Sequence, residues 1–93
     1  MGPWKSSTYT LSVGEDGTPE ASAPVVLYSV VAANSGAADP ATVGIYNGSG
    51  SVVAMSLVVP AGGTVVWSGC LAMAKGLQVY MEAGAGYVTV MYV

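Results

Sequence analysis

The side chains able to do chemistry in this chain are one thiol, Cys70, two amines, Lys5 and Lys75, and five carboxylates, Glu15, Asp16, Glu20, Asp39 and Glu82. Histidine and arginine are absent. A serine, threonine or cysteine nucleophile needs a base beside it, and without imidazole that base would be a lysine or a carboxylate. Lys75 is followed by Gly76 in a turn, and Lys5 lies near the N-terminus. Paired-carboxylate hydrolysis needs two acids across one cleft, whereas Glu15 and Asp16 are neighbours in a breaker-rich stretch and Asp39 and Glu82 stand alone. One thiol with scattered acids matches no transition-metal spacing. Glu15-Asp16 falls short of the alternating oxygen ligands of a Ca²⁺ loop. The glycine-rich pieces Asn47-Gly48-Ser49-Gly50 and Gly84-Ala85-Gly86 lack the Lys-Ser/Thr pair and the helix of a phosphate loop. The expectation is a chain that is not an enzyme, with no catalytic, cofactor-binding or metal residues. Cys70 has no intrachain mate, so it reads as a small buried hydrophobe, and any disulfide would be intermolecular.

Composition limits the partners. Hydrophobic residues make up 53% of the 93 and charged residues 8%, against about 25% charged in ordinary soluble domains. A formal charge of −3 with two lysines gives no basic patch, so nucleic acid is not expected as a partner. No apolar run approaches the ~20 residues of a membrane helix, so no membrane partner is expected either. The first ten residues lack the basic-then-apolar layout of a secretory signal.

Elements that could position a functional surface are short and β-like. Four of the five acids and four of the five prolines precede Ala41. Residues 14–24 therefore read as an exposed loop or linker. Upstream, Ser7, Tyr9, Leu11 and Val13 alternate with Thr8, Thr10 and Ser12, a period-2 strand that would pair at a sheet edge or on a neighbouring subunit. Further strands are expected over residues 25–33, 41–46, 51–59, 64–68, 77–82 and 87–93, separated by Gly, Asn, Pro and Ser. Asn47-Gly48 suits a tight hairpin turn. Residues 69–74 read as a connection, with at most one helical turn near 71–75. The fold class is all-β: an antiparallel β-sandwich, jelly-roll-like or immunoglobulin-like, of about seven strands with an extended N-terminal arm. Residues 1–24 form the arm and linker and residues 25–93 the sandwich; deleting residues 1–20 is expected to leave the domain folded but to abolish its attachment to a host assembly.

Alternation gives Val25, Leu27, Ser29 and Val31 one face of their strand and Val26, Tyr28, Val30 and Ala32 the other. Both faces are apolar. The 51–59 and 87–93 runs behave likewise, and a second apolar face calls for a further surface to cover it. Self-association or docking on a larger partner is the central expectation. The residues expected to bind that partner are Trp4, an indole in the arm, Tyr9, Leu11 and Val13 on the first strand, and Trp67, in phase with Val65. The same aromatics could alternatively stack on sugar.

The stretch from Ala23-Pro-Val-Val-Leu-Tyr-Ser-Val-Val-Ala-Ala-Asn, through Ala41-Thr-Val-Gly-Ile-Tyr-Asn-Gly, to Val59-Pro-Ala-Gly-Gly-Thr-Val and Lys75-Gly-Leu-Gln-Val-Tyr resembles small β-sandwich virion proteins of tailed bacteriophages. That resemblance implies a capsid decoration, or cement, protein. It would be made in the host cytoplasm and sit on the capsid surface as a homotrimer, bound to the major capsid protein or another virion protein through apolar and main-chain contacts. A tail or head-fibre component and a carbohydrate- or receptor-binding module are the alternatives.

Overall fold

The computed structural model describes residues 4–48 and 53–93. The expected turn beyond Gly48 and the first two residues of the 51–59 run lie outside the described residues. Eight strands follow in order: β1 (Lys5–Leu11), β2 (Asp16–Glu20), β3 (Val25–Asn34), β4 (Ala41–Asn47), β5 (Val53–Val59), β6 (Thr64–Met73), β7 (Leu77–Ala83) and β8 (Gly86–Tyr92). No helix occurs among the described residues.

Sheet 1 has the order β1-β8-β3-β6 and sheet 2 the order β2-β7-β4-β5, with every neighbouring pair antiparallel. Strands pair from the outside of the sequence inward: β1 with β8, β2 with β7, β3 with β6 and β4 with β5. Successive pairs alternate between the sheets, so the chain is one long hairpin rolled into two layers. This is the jelly roll rather than the immunoglobulin arrangement.

β-Branched and aromatic residues at period 2 explain most of these strands. In β7, Leu77, Val79 and Met81 are buried between the sheets while Gln78, Tyr80 and Glu82 face out. Val88, Val90 and Tyr92 of β8, Leu27, Val30 and Ala32 of β3, and Val43 and Ile45 of β4 complete the centre of the core. Each fully buried aliphatic side chain contributes about 1.5–3 kcal/mol. Asn34 is the polar exception. Its Nδ2 donates to the carbonyls of Asp39 (2.8 Å) and Val59 (3.1 Å), and its Oδ1 accepts from the Gly36 amide (2.8 Å). That network ties the β3–β4 loop to the end of β5.

The fold departs from the sequence reading in three places. Residues 14–24, expected as a loop, contain β2. Asp-Gly-Thr-Pro-Glu is a poor strand former, and its pairing with β7 (Asp16↔Tyr80, Gly17↔Val79) overrides local preference. Pro19 is tolerated because β2 is an edge strand. With β1 paired along its length to β8, the expected arm supplies an edge to each sheet, and the strand count is eight rather than seven. Residues 69–74, expected as a connection, instead continue β6 to Met73, with the turn at residues 74–75.

The third departure is a bulge on the central strand of sheet 1. Leu27 pairs with Leu71 and Tyr92, but Ser29 pairs with Ser68 and Met91. Tyr28 is thus an extra residue against β8, while Gly69 and Cys70 together oppose it from β6. A bulge of this kind exchanges the two faces of a strand. Val25 and Leu27 point inward before it, and Val30, Ala32 and Asn34 after it. Each face expected for residues 25–32 is therefore split between the core and solvent.

Candidate functional site

The outer face of sheet 1 is nearly free of charge. Register places three rows across it: Thr10–Tyr87–Ala33–Thr64, Thr8–Thr89–Val31–Val66 and Ser6–Met91–Ser29–Ser68. Hydroxyl groups line the β1 side, where Thr8 and Thr89 share a 2.9 Å hydrogen bond. In the middle and on the far side apolar residues alternate with small hydroxyl ones, Ser29, Thr64, Ser68 and Thr89, and Val66, Tyr87 and Met91 are 62%, 50% and 41% exposed. Lys5 is the one charged residue in the four strands. All five acids lie elsewhere: Asp16, Glu20 and Glu82 on sheet 2, Glu15 in the β1–β2 turn and Asp39 in the β3–β4 loop.

The sheet edges are guarded unequally. β2 carries Asp16, Pro19, Glu20 and a register irregularity, all of which discourage pairing with another chain. β6 is ten residues long and contains no charge and no proline; its bulge at Gly69–Cys70 is its one protection. Cys70 is exposed on this edge, which corrects the expectation of a buried thiol. Ordinary alternation along β6 places it on the face opposite Val65, Trp67, Leu71 and Met73.

The residues expected to bind a partner are dispersed by the fold. Leu11 is buried in the chain's own core. Tyr9 lies over Gly17, where an added Cβ would stand 2.5 Å from its ring, so it closes the β1–β2 edge of the sandwich. Val13 is exposed in the β1–β2 turn. Trp4 packs edge-on against Tyr28, with ring centroids 4.5 Å apart at 64°, and stays 54% exposed. Trp67 lies on the opposite edge strand, folded over Gly69 and packed on the core. Of the five, Trp4 continues the uncharged face of sheet 1.

A second feature, missed in the sequence, occupies the outer face of sheet 2. Tyr80 pairs with Asp16 on β2 and with Gly44 on β4, and Tyr46 pairs with Gln78. An added Cβ on Gly44 would stand 2.6 Å from Glu82 Oε2 and 2.7 Å from Tyr46 Cε1, so both side chains close over this residue. The Tyr46 hydroxyl donates to Glu82 Oε2 at 2.6 Å. That hydrogen bond, then desolvation, then the charges of Glu82 and Tyr80 raise the Tyr46 phenol above its ordinary value. The Tyr46 and Tyr80 rings meet edge to face at 6.2 Å and 87°. Gln78 Nε2 donates to Asp16 Oδ2 at 2.5 Å. Together Asp16, Tyr46, Gln78 and Tyr80 line a cleft of about 290 Å³. The available signal was the alternation of Gln78, Tyr80 and Glu82 with buried Leu77, Val79 and Met81.

Neither family models nor curated proteins match this sequence. Among solved structures, a chain from work stating that Bacillus endospore appendages form a novel family of disulfide-linked pili superposes with a TM-score of 0.58 at 15% identity. The alignment covers 98% of this chain and 85% of that one. A likeness at that identity is one of fold.

Proposed function

We propose that the chain is a structural subunit of a repeating protein assembly, in which copies cover one another's sheet 1 faces. The observation that carries this reading is the segregation of charge: one charged residue in the four strands of sheet 1, in a chain of net charge −3. Two copies meeting there set no acid against acid, and exposed Trp4, Val66, Tyr87 and Met91 leave water. Strands ~4.8 Å apart, with about seven residues rising ~3.3 Å each, give a footprint of roughly 450 Å². That is about half of the ~800 Å² each partner contributes to a free-standing specific complex. A contact of this size holds when symmetry repeats it and several engage at once. The uncharged β6 edge offers main-chain groups for a second contact.

Two settings fit this role. The strand-and-turn cadence supports decoration of a phage capsid, as a trimer bound to the major capsid protein. The fold likeness to a pilus-forming chain supports a fibre. Electron microscopy of native material separates them, as closed shells or as filaments.

The test of the common reading is the native mass by light scattering. The wild-type chain is expected as oligomers or fibres. Val66→Lys with Met91→Lys, both exposed positions, is expected to leave the circular dichroism unchanged and to release the 9.3 kDa monomer. A wild-type chain that stays monomeric at high concentration overturns the proposal.

A further inference from the structure

We propose that the cleft on the outer face of sheet 2 binds one neutral pyranose unit of a glycan. Sugars present two chemistries at once, hydroxyl groups around the ring and patches of aliphatic C–H on its faces. The cleft presents the matching pair. Asp16 and Gln78 are planar side chains whose acceptors and donors can each engage neighbouring hydroxyls, and hydrogen bonds to a charged acceptor are among the stronger ones. Tyr46 and Tyr80 supply apolar ring surface with a hydroxyl at the rim.

The arrangement is set before any ligand arrives. Asp16 and Gln78 hold each other at 2.5 Å, Glu82 holds the Tyr46 hydroxyl at 2.6 Å, and the two rings lock edge to face. Gly44 is central to this order. It sits mid-strand on an outward position, where core packing makes no demand for a missing side chain and glycine weakens a strand. Its missing side chain leaves the room that Tyr46 and Glu82 occupy. Fixing such groups in advance lowers the cost of binding.

Size and charge narrow the ligand. A volume near 290 Å³ lies at the lower end of the roughly 300–1,000 Å³ range of small-molecule sites, which suits a single ring and not an extended chain. The carboxylates of Asp16 and Glu82 disfavour phosphorylated, sulfated or acidic sugars. The cleft faces away from sheet 1, so its occupancy does not depend on the assembly reading. Copies joined through sheet 1 would display the cleft outward in number, multiplying a weak single-site affinity.

The test is saturation-transfer NMR on the full chain immobilised on beads, with methyl glycosides of neutral hexoses at millimolar concentration, so that saturation spreads through the protein whatever the oligomer size. Saturation is expected to reach the C–H protons of a sugar ring. Tyr80→Ala and Asp16→Asn are each expected to weaken binding about tenfold or more. Val58→Thr, exposed on β5 of the same sheet but outside the cleft, should leave binding unchanged. Circular dichroism verifies that each variant is folded. The proposal fails if no glycoside receives saturation, if both cleft variants bind as the parent does, or if tetramethylammonium occupies the cleft and the sugars do not.

Discussion

Tyr46 and Glu82 lie on adjacent strands and meet above the backbone of Gly44, with the phenol donating to the carboxylate at 2.6 Å. The pairing ties the protonation of an outward-facing tyrosine to the stability of sheet 2. The folded phenol loses its proton at higher pH than an unfolded one. Its contribution is therefore complete below the ordinary tyrosine value near 10 and is lost as pH rises through the higher folded value. The gap in urea midpoint between the parent and Tyr46→Phe should accordingly shrink above about pH 10. Gly44→Val, whose branches would displace both partners, should return the late component of the alkaline absorbance titration to the ordinary range.

Asn34 is the buried polar residue that closes the β3–β4 loop. Asn34→Ala removes the donors to Asp39 and Val59 and the acceptor for Gly36, leaving the buried Val59 carbonyl and two part-buried groups without this partner. The expected loss is about 2–4 kcal/mol, measured by urea denaturation. Amide exchange at Gly36 should accelerate in the same variant.

Gly86 begins β8, between Leu11 on β1 and Asn34 on β3. A Cβ there would collide with the main-chain carbonyl of Ala33. Backbone cannot swing aside as a side-chain tip can, so β3 and β8 would have to separate. Gly86→Ala should cost about 3 kcal/mol or more, seen as a fall in the thermal midpoint.

Removing residues 1–20 would delete β1 and β2 together. β8 and β7 would each lose an edge partner, and the core would lose Leu11. Such a chain should lose its cooperative unfolding transition and its near-ultraviolet circular dichroism. A stable truncated domain would contradict the pairing described here.

The fold class and seven of the eight strands were legible because their information is local. Strands such as β7 and β8 alternate buried and exposed residues without interruption, and turn residues separate the runs. β2 was hidden because Asp16–Glu20 has the composition of a linker, and only its partner β7 makes it a strand. The bulge at Tyr28 was hidden for a different reason. It is a relation among β3, β6 and β8, and no single run of residues contains it. The same limit applied to the cleft: Asp16, Tyr46 and Tyr80 are far apart along the chain and become neighbours through the register of three strands. Trp4 and Trp67 drew notice as isolated large aromatics. The groups that do converge are tyrosines and short polar residues of ordinary appearance.

β1 hydrogen-bonds within its sheet to β8 alone, so the earliest strand to leave the ribosome waits for the latest. Lys5 meets Tyr92 across an interval of 87 residues, which at about 5–20 residues per second is a delay of roughly 4–17 s. Closure of sheet 1 consequently depends on contacts of high sequence separation, which form slowly. Until β8 arrives, β1 and β3 present bare ladders to any nearby nascent chain, and the interval before completion is when misassembly competes most strongly with folding.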